Sequence, residues 1–234
     1  MSTYEITPIA RIKNEYKDKF GIPRQSNLLK NNISQIVFEE DFRDENALRG
    51  LEEYSHLWLL WIFSETNSNK KWSPTVRPPR LGGNKRMGVF ATRSPYHPNK
   101  IGLSCVKIAS IEKTAGNGTV INVLGADLLD GTPIIDIKPY LAFSDSVSDA
   151  VCGFADNVFE YELSVEIPQE ISENIDKNVL DEIICLLEQD PRPSYHDDEN
   201  RVYGLRYSVF EIKFKVSDNT AKVISIENTN GSEE

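Results

Sequence analysis

The first 143 residues are cut into short apolar runs, most of them rich in valine and isoleucine and bounded by glycine, proline or asparagine. Runs of this length with turn residues between them read as β-strands and leave little room for helices. The candidates are residues 4–13, Ile33–Phe38, His56–Phe63, Gly88–Thr92, Leu103–Ile111, Thr119–Leu124 and Pro133–Ile137. His56–Phe63 is apolar enough to be expected buried on both faces. One short helix is expected over Asp44–Glu53, where Leu48 and Leu51 lie three apart after Asp44. Six or more strands with at most one short helix predict a barrel or a sandwich, not a βαβ repeat.

The pattern changes after a small, polar stretch, Ser144–Asn157, which reads as a linker. Phe159, Tyr161, Leu163, Val165 and Ile167 alternate with Glu160, Glu162, Ser164 and Glu166, the mark of a half-buried strand. Ser172 is then placed to cap an amphipathic helix carrying Ile175, Val179, Ile183, Leu186 and Leu187, which Asp190-Pro191 ends. Phe210, Ile212, Phe214 and Val216 alternate with charged residues, and Lys222–Glu227 can pair back as a hairpin. The chain is therefore expected to be mainly β, with an N-terminal β domain over 1–143, a linker over 144–157 and a small α+β domain over 158–234.

Composition excludes several classes. At 39% apolar and 26% charged, 234 residues have the balance of a globular core-forming chain and not of a disordered one. The longest apolar run, Leu57–Phe63, falls far short of the roughly 20 residues of a spanning helix. The start, MSTYEITPIA, lacks the basic-then-apolar pattern of a secretion leader. Cys105, Cys152 and Cys185 are odd in number and widely spaced, which points to a reducing compartment and away from a disulfide framework or a CxxC metal site. The expectation is a soluble, cytoplasmic protein with no membrane association.

The net charge of −10 argues against a nucleic-acid partner until its distribution is inspected. Between Thr66 and Ile111 there are nine basic side chains and no acid, so the rest of the chain carries −19. The same stretch holds RPPRLGGNKRMGVFATRSPYHPNKIGLS, residues 77–104, with four prolines and four glycines stiffening the loops that carry its arginines. Guanidinium forks on rigid loops suit phosphates and carboxylates, and Tyr96 and His97 add flat surfaces for a base. The alternative is that the prolines and glycines only turn corners while the arginines face water. Asp127–Tyr140 (DLLDGTPIIDIKPY) offers Asp127, Asp130 and Asp136 as bases or metal ligands, but their spacing matches no calcium loop and no histidine is near, so no metal is expected. Asp190–Tyr195 (DPRPSY) and Ile22–Leu28 (IPRQSNL) are further Pro-Arg loops. Neither a Rossmann glycine fingerprint nor a P-loop is present, and the three histidines are scattered.

These strings, with KDKFGIPRQSNL at 17–28 and RGLEEYSHLWLL at 49–60, resemble the TrmO family, also described as TsaA-like or YaeB-like. The resemblance spans nearly the whole chain. It implies an S-adenosylmethionine-dependent methyltransferase that N6-methylates threonylcarbamoyladenosine at position 37 of tRNA, in the anticodon loop. It also implies a β-barrel methyltransferase domain with a smaller C-terminal domain, working as a homodimer. The cofactor would lie against Ser26, Asn27 and Leu28, Ser64 and Glu65, Arg93, Leu103, and Leu124, Gly125, Ala126 and Asp127. The family more often has arginine where this sequence has His97 and proline where it has Lys100.

Methyl transfer from a sulfonium is an in-line displacement that needs alignment and no metal. A ureido-type acceptor nitrogen is helped by losing its proton, for which Asp190 and Tyr195 are the candidate bases, with Asp127 or Asp136 behind them. Arg77, Arg80, Arg86, Tyr96, His97 and Arg192 are the candidate substrate-binding residues. Two other classes fit the same residues: a non-catalytic RNA-binding barrel, and a protein that binds S-adenosylmethionine or an anionic metabolite.

Overall fold

The computed structural model describes residues 2–23, 25–28, 32–66, 72–78, 85–156, 162–192 and 198–229. Six strands close into an antiparallel barrel: β1 (Ala10–Lys13), β2 (Ile33–Phe38), β3 (His56–Ile62), β6 (Ile101–Thr114), β7 (Gly118–Leu124) and β8 (Pro133–Pro139). Their order around the barrel is β1-β2-β7-β6-β3-β8. Closure depends on the 14-residue β6, which serves two neighbours with successive halves. Residues 101–107 pair with β3 and 107–114 with β7, across a register shift between Ile108 and Ser110. A bulge of this kind bends one strand around the corner of a small barrel.

Alternation along the strands points Ile12, Ile36, Leu57, Leu59, Val106, Ile121, Val123 and Ile134 into a shared core. A barrel this narrow is filled by its own side chains, so a ligand site has to sit at its rim. β3 alternates between buried and half-buried positions, which corrects the expectation of burial on both faces. The 4–13 run pairs only from its C-terminal end: Pro8 has no N–H to give, and Tyr4 and Ile6 stay exposed. Asp44–Glu53 forms two 3-10 turns in place of one helix, divided at Gly50 with φ +86°.

Between β3 and β6, a two-residue ladder joins β4 (Thr75–Val76) to β5 (Met87–Gly88). The strand expected over Gly88–Thr92 continues instead as a 3-10 turn, Val89–Ala91, because Val89 is buried and its N–H is bonded to the Pro74 carbonyl at 2.9 Å.

After the barrel, one helical turn, α1 (Ala142–Asp145), opens the exposed stretch to residue 156. A second sheet has the order β10 (Tyr203–Tyr207), β11 (Phe210–Ser217), β12 (Thr220–Asn228), β9 (Ser164–Glu166). The β11–β12 hairpin is as expected, turned by Asp218 and Asn219 at φ 48° and 58°. The single turn α2 (Gln169–Ser172) precedes the main helix, α3 (Lys177–Glu188). Asp176 caps that helix, accepting from Asn178 N at 2.9 Å, while the Ser172 hydroxyl donates back to the Gln169 carbonyl. The helix start is therefore four residues later than the sequence suggested. Ile183, Leu186 and Leu187 pack onto Leu205, Ile212, Phe214 and Val223 to make a second core.

The two cores meet at the segment leaving β1. Tyr16 is buried in the second core, and Asn32 donates to the Tyr207 hydroxyl at 2.6 Å. Tyr207 in turn donates to Glu182 on α3, and burial raises the pKa of both groups. Ser208 N bonds the Glu15 carbonyl at 3.0 Å.

Candidate active site at the barrel rim

Four chain segments converge at one end of the barrel: the turn at 25–28, the end of β7, the start of β6 and the loop at 89–100. Asn27, in the left-handed region at φ 67°, donates its N–H to the Gly125 carbonyl at 2.9 Å and its side-chain amide to the Cys105 carbonyl at 3.1 Å. Gly125 is itself at φ +80°, and a Cβ there would lie 2.6 Å from Asn27 Oδ1, so only glycine lets the two turns touch.

Two residues on, Asp127 projects into this junction. It accepts from the Ser104 hydroxyl at 2.5 Å and from backbone N–H groups including that of Ser26, with Arg93 close enough to attract it. Burial outweighs these partners and lifts its carboxyl pKa above the ordinary carboxylate value. Ser104 is held in turn by the Trp61 indole N–H at 2.9 Å. Strand register explains the relay: Gly102 faces Trp61 and Ser104 faces Leu59 across β3 and β6, and both 102 and 104 point inward.

Of the residues singled out from sequence, Ser26, Asn27, Gly125, Asp127 and Arg93 are thus brought together. Leu28 extends the turn and offers its carbonyl to the Cys185 thiol at 3.7 Å. Leu103 lies between the inward positions and is exposed, Leu124 is half-buried, and Ala126 is part of the barrel core. Ser64 and Glu65 lie on a neighbouring edge tied to two lysines. Lys19 Nζ bonds the Glu65 carbonyl at 2.8 Å, and Lys100 Nζ the Thr66 carbonyl at 3.1 Å.

Arg77 and Arg86 are exposed where the β4–β5 register, continued by one position, sets them opposite each other. Like charges opposed across a ladder destabilise it unless an anion lies between them. His97 Nε2 is bonded to the Thr92 carbonyl at 2.9 Å, and Tyr96 is exposed.

Asp190, at φ 51° just after α3, has both carboxylate oxygens on the Arg192 guanidinium at 2.7 and 2.8 Å. Both side chains are only 14% exposed. A carboxylate gripped in this way is a poor proton acceptor, which counts against Asp190 acting alone as base. Arg80 and Tyr195 lie outside the described residues. Asp130 holds the turn it begins, bonding Asn14 N and Lys17, and Asp136 pairs with Lys138. Among the described residues no group of three metal-ligating side chains gathers, and no helix is long and apolar enough to cross a membrane. Sequence reasoning missed Ser104 and Trp61; the signal was there in the alternation GLS, with small residues on either side of Leu103, facing the HLWLLW run, but it needed the register to be read.

The N-terminal domain model of tRNA-methyltransferase O matches residues 11–146, and the TrmO C-terminal domain model matches residues 160–229. The chain belongs to the TrmO family. Its TrmO relatives include the tRNA (adenine(37)-N6)-methyltransferase of Escherichia coli, 39% identical over 97% of this chain and 99% of that one. A protein of the same name from Eikenella corrodens is 43% identical over 74% of this chain and 97% of its own length. The crystal structure of TrmO from Pseudomonas aeruginosa superposes with a TM-score of 0.78 at 30% identity, covering 97% of this chain and 98% of that one.

Proposed function

We propose that this TrmO-family chain transfers a methyl group from S-adenosylmethionine to N6 of adenosine 37 in tRNA, with threonylcarbamoyladenosine of the anticodon loop as the target. The observation that carries the reading is the polar junction around Asp127, built at the rim of a barrel whose family relatives are named for this reaction. The donor set fits the cofactor. Asp127 offers a partly buried carboxylate to hydroxyl or ammonium groups, and Arg93 offers a guanidinium to a carboxylate. Leu28 and the exposed Leu103 give an apolar surface to a base. When bound, S-adenosylmethionine supplies an electrophilic methyl on a sulfonium.

The chain's own contribution is to align and to move a proton. Holding two reactants in line supplies as much as roughly 7–11 kcal/mol of the barrier. The fixed contacts of Asn27 with Gly125 and Cys105 provide a rigid cradle for that alignment. The proton leaving nitrogen is assigned to Asp190, just after α3, or to Tyr195. In this reading Arg192 exchanges its grip from Asp190 to the threonyl carboxylate of the substrate, which frees the aspartate to accept. Arg77, Arg80 and Arg86 hold phosphates, and Tyr96 and His97 face the bases. Residues 1–143 act as the cofactor-binding barrel domain, 144–157 as linker and 158–234 as the small domain, in a cytoplasmic homodimer.

The decisive measurement is mass spectrometry of tRNA nucleosides from cells with and without this chain. Methylated threonylcarbamoyladenosine is expected only with it, and an unchanged level refutes the reading. Asp190→Asn with wild-type turnover on substrate tRNA removes that residue as the proton acceptor.

A further inference from the structure

Two large rings beside the basic loops have no role in the site described above. Trp72 is 53% exposed and Phe90 75% exposed, yet they are neighbours, with ring centroids 6.3 Å apart and planes 36° from parallel. Phe90 also meets the edge of His97 at 5.7 Å. The β4–β5 ladder brings the two segments together, with Thr75 paired to Gly88, and the turn that starts at Val89 sets Phe90 beside Trp72.

The backbone under these rings is fixed. Val89 is buried and bonded to Pro74. The Thr92 hydroxyl bonds the Val89 carbonyl at 2.8 Å, Ser94 N bonds that hydroxyl, and Tyr96 N bonds the Ser94 hydroxyl. A loop held this firmly while its largest apolar side chain stays in water is shaped for contact with something else.

We propose that Trp72, Phe90 and His97 form a stacking platform for unpaired bases of the substrate tRNA next to the target adenosine. The inference rests on the tRNA-methyltransferase reading and adds Trp72 and Phe90, which that reading does not use, beside His97, which it does. Charge selects the occupant. The rings lie inside the acid-free stretch from Thr66 to Ile111, with Arg77 and Arg86 at the far end of the same ladder. A two-fold copy of this chain would set the same positive surface against itself, which opposes docking, whereas a polyanion with exposed bases satisfies rings and charges together.

The test uses the full-length protein and tRNA purified from cells lacking it. Trp72→Ala and Phe90→Ala are each expected to raise KM for tRNA about five- to hundredfold, the range for losing one base–aromatic stack. Trp72→Phe and Phe90→Tyr are expected to restore KM. Melting temperature and the Kd for S-adenosylmethionine are expected to stay at wild-type values, since both rings are exposed. A single-stranded oligoadenylate is expected to quench tryptophan emission in the wild type and not in Trp72→Phe.

An unmoved KM in the Trp72→Ala/Phe90→Ala double variant overturns the platform, as does quenching that persists in Trp72→Phe. A fall in molecular mass by light scattering in the alanine variants also overturns it and assigns the rings to a second copy. If the wild type methylates no tRNA, the methyltransferase reading fails, while oligoadenylate quenching still decides the platform.

Discussion

Adding one methyl group at Gly102 tests whether the Trp61 relay is as tightly built as its distances imply. A Cβ on Gly102 would lie 2.2 Å from Trp61 Cε2, 2.4 Å from Cζ2 and 2.5 Å from Cδ2. Carbon atoms in contact sit about 3.5–4.0 Å apart, so ring or strand must retreat by about 1.3 Å or more. Neither has room. Trp61 is 7% exposed, its ring centroid lies 4.2 Å from that of Phe63, it donates to Ser104, and Gly102 is its register partner on the neighbouring strand. Overpacking costs about 1–3 kcal/mol, and losing the Trp61–Ser104 bond adds about 1 kcal/mol, for a total of about 2–4 kcal/mol. At about 2–4 °C per kcal/mol for a chain of this length, Gly102→Ala should melt about 4–16 °C lower. Trp61→Leu empties the space the methyl needs, so the double variant should recover at least about 1 kcal/mol relative to the sum of the singles. Urea and thermal titrations of the four proteins, followed by near-ultraviolet circular dichroism, measure this. A Gly102→Ala protein that melts within about 1 °C of the wild type, or strict additivity in the cycle, refutes the reasoning.

Two further predictions follow from buried carboxyl and hydroxyl groups. Burial raises the Asp127 carboxyl above its ordinary value, so the folded chain holds that proton more tightly than the unfolded one. Stability is therefore withdrawn as pH rises from the ordinary carboxylate range through the raised value. Asp127→Asn should stabilise at about pH 8 but not at about pH 3, while weakening S-adenosylmethionine binding. An equal change in melting temperature at both pH values would contradict the assignment. Tyr207→Phe removes the hydroxyl shared by Asn32 and Glu182, leaving a buried amide donor without its acceptor. It should cost about 1–3 kcal/mol in urea unfolding, and a wild-type midpoint would show that this bond contributes nothing.

The strands that sequence made legible are those whose neighbours agree with their own pattern. β11 alternates and turns back at Asp218-Asn219, while β2, β7 and β8 are rich in valine and isoleucine and bounded by turn residues, so local signals sufficed. Gly88–Thr92 looked like a strand because valine and phenylalanine follow glycine, but a tertiary bond from Val89 to Pro74 bends it into a turn. Ser172 and Asp176 are both acceptable caps, and packing of Ile183, Leu186 and Leu187 decides for the later one. The site divides in the same way. Ser26, Asn27, Arg93, Gly125 and Asp127 came from motif strings, but Trp61 and Ser104 meet only through the pairing of β3 with β6. Trp72 lies outside every motif string and Phe90 was one apolar residue within the string at 77–104, and the two become neighbours only when the β4–β5 ladder forms.

The turn at 25–28 answers to both cores at once. Asn27 is bonded to β6 and to Gly125 in the barrel, while Leu28 meets Cys185 on α3, and the same connecting segment sends Tyr16 into the second core. Work done in ordering this turn is thus shared with the seating of the small sheet. By thermodynamic reciprocity, whatever a bound cofactor gains from an ordered turn, the attachment of α3 and β10 gains equally. On the proposed placement of S-adenosylmethionine against Asn27, the small sheet acts as ballast for that site, and amide exchange in α3 should slow when the cofactor binds.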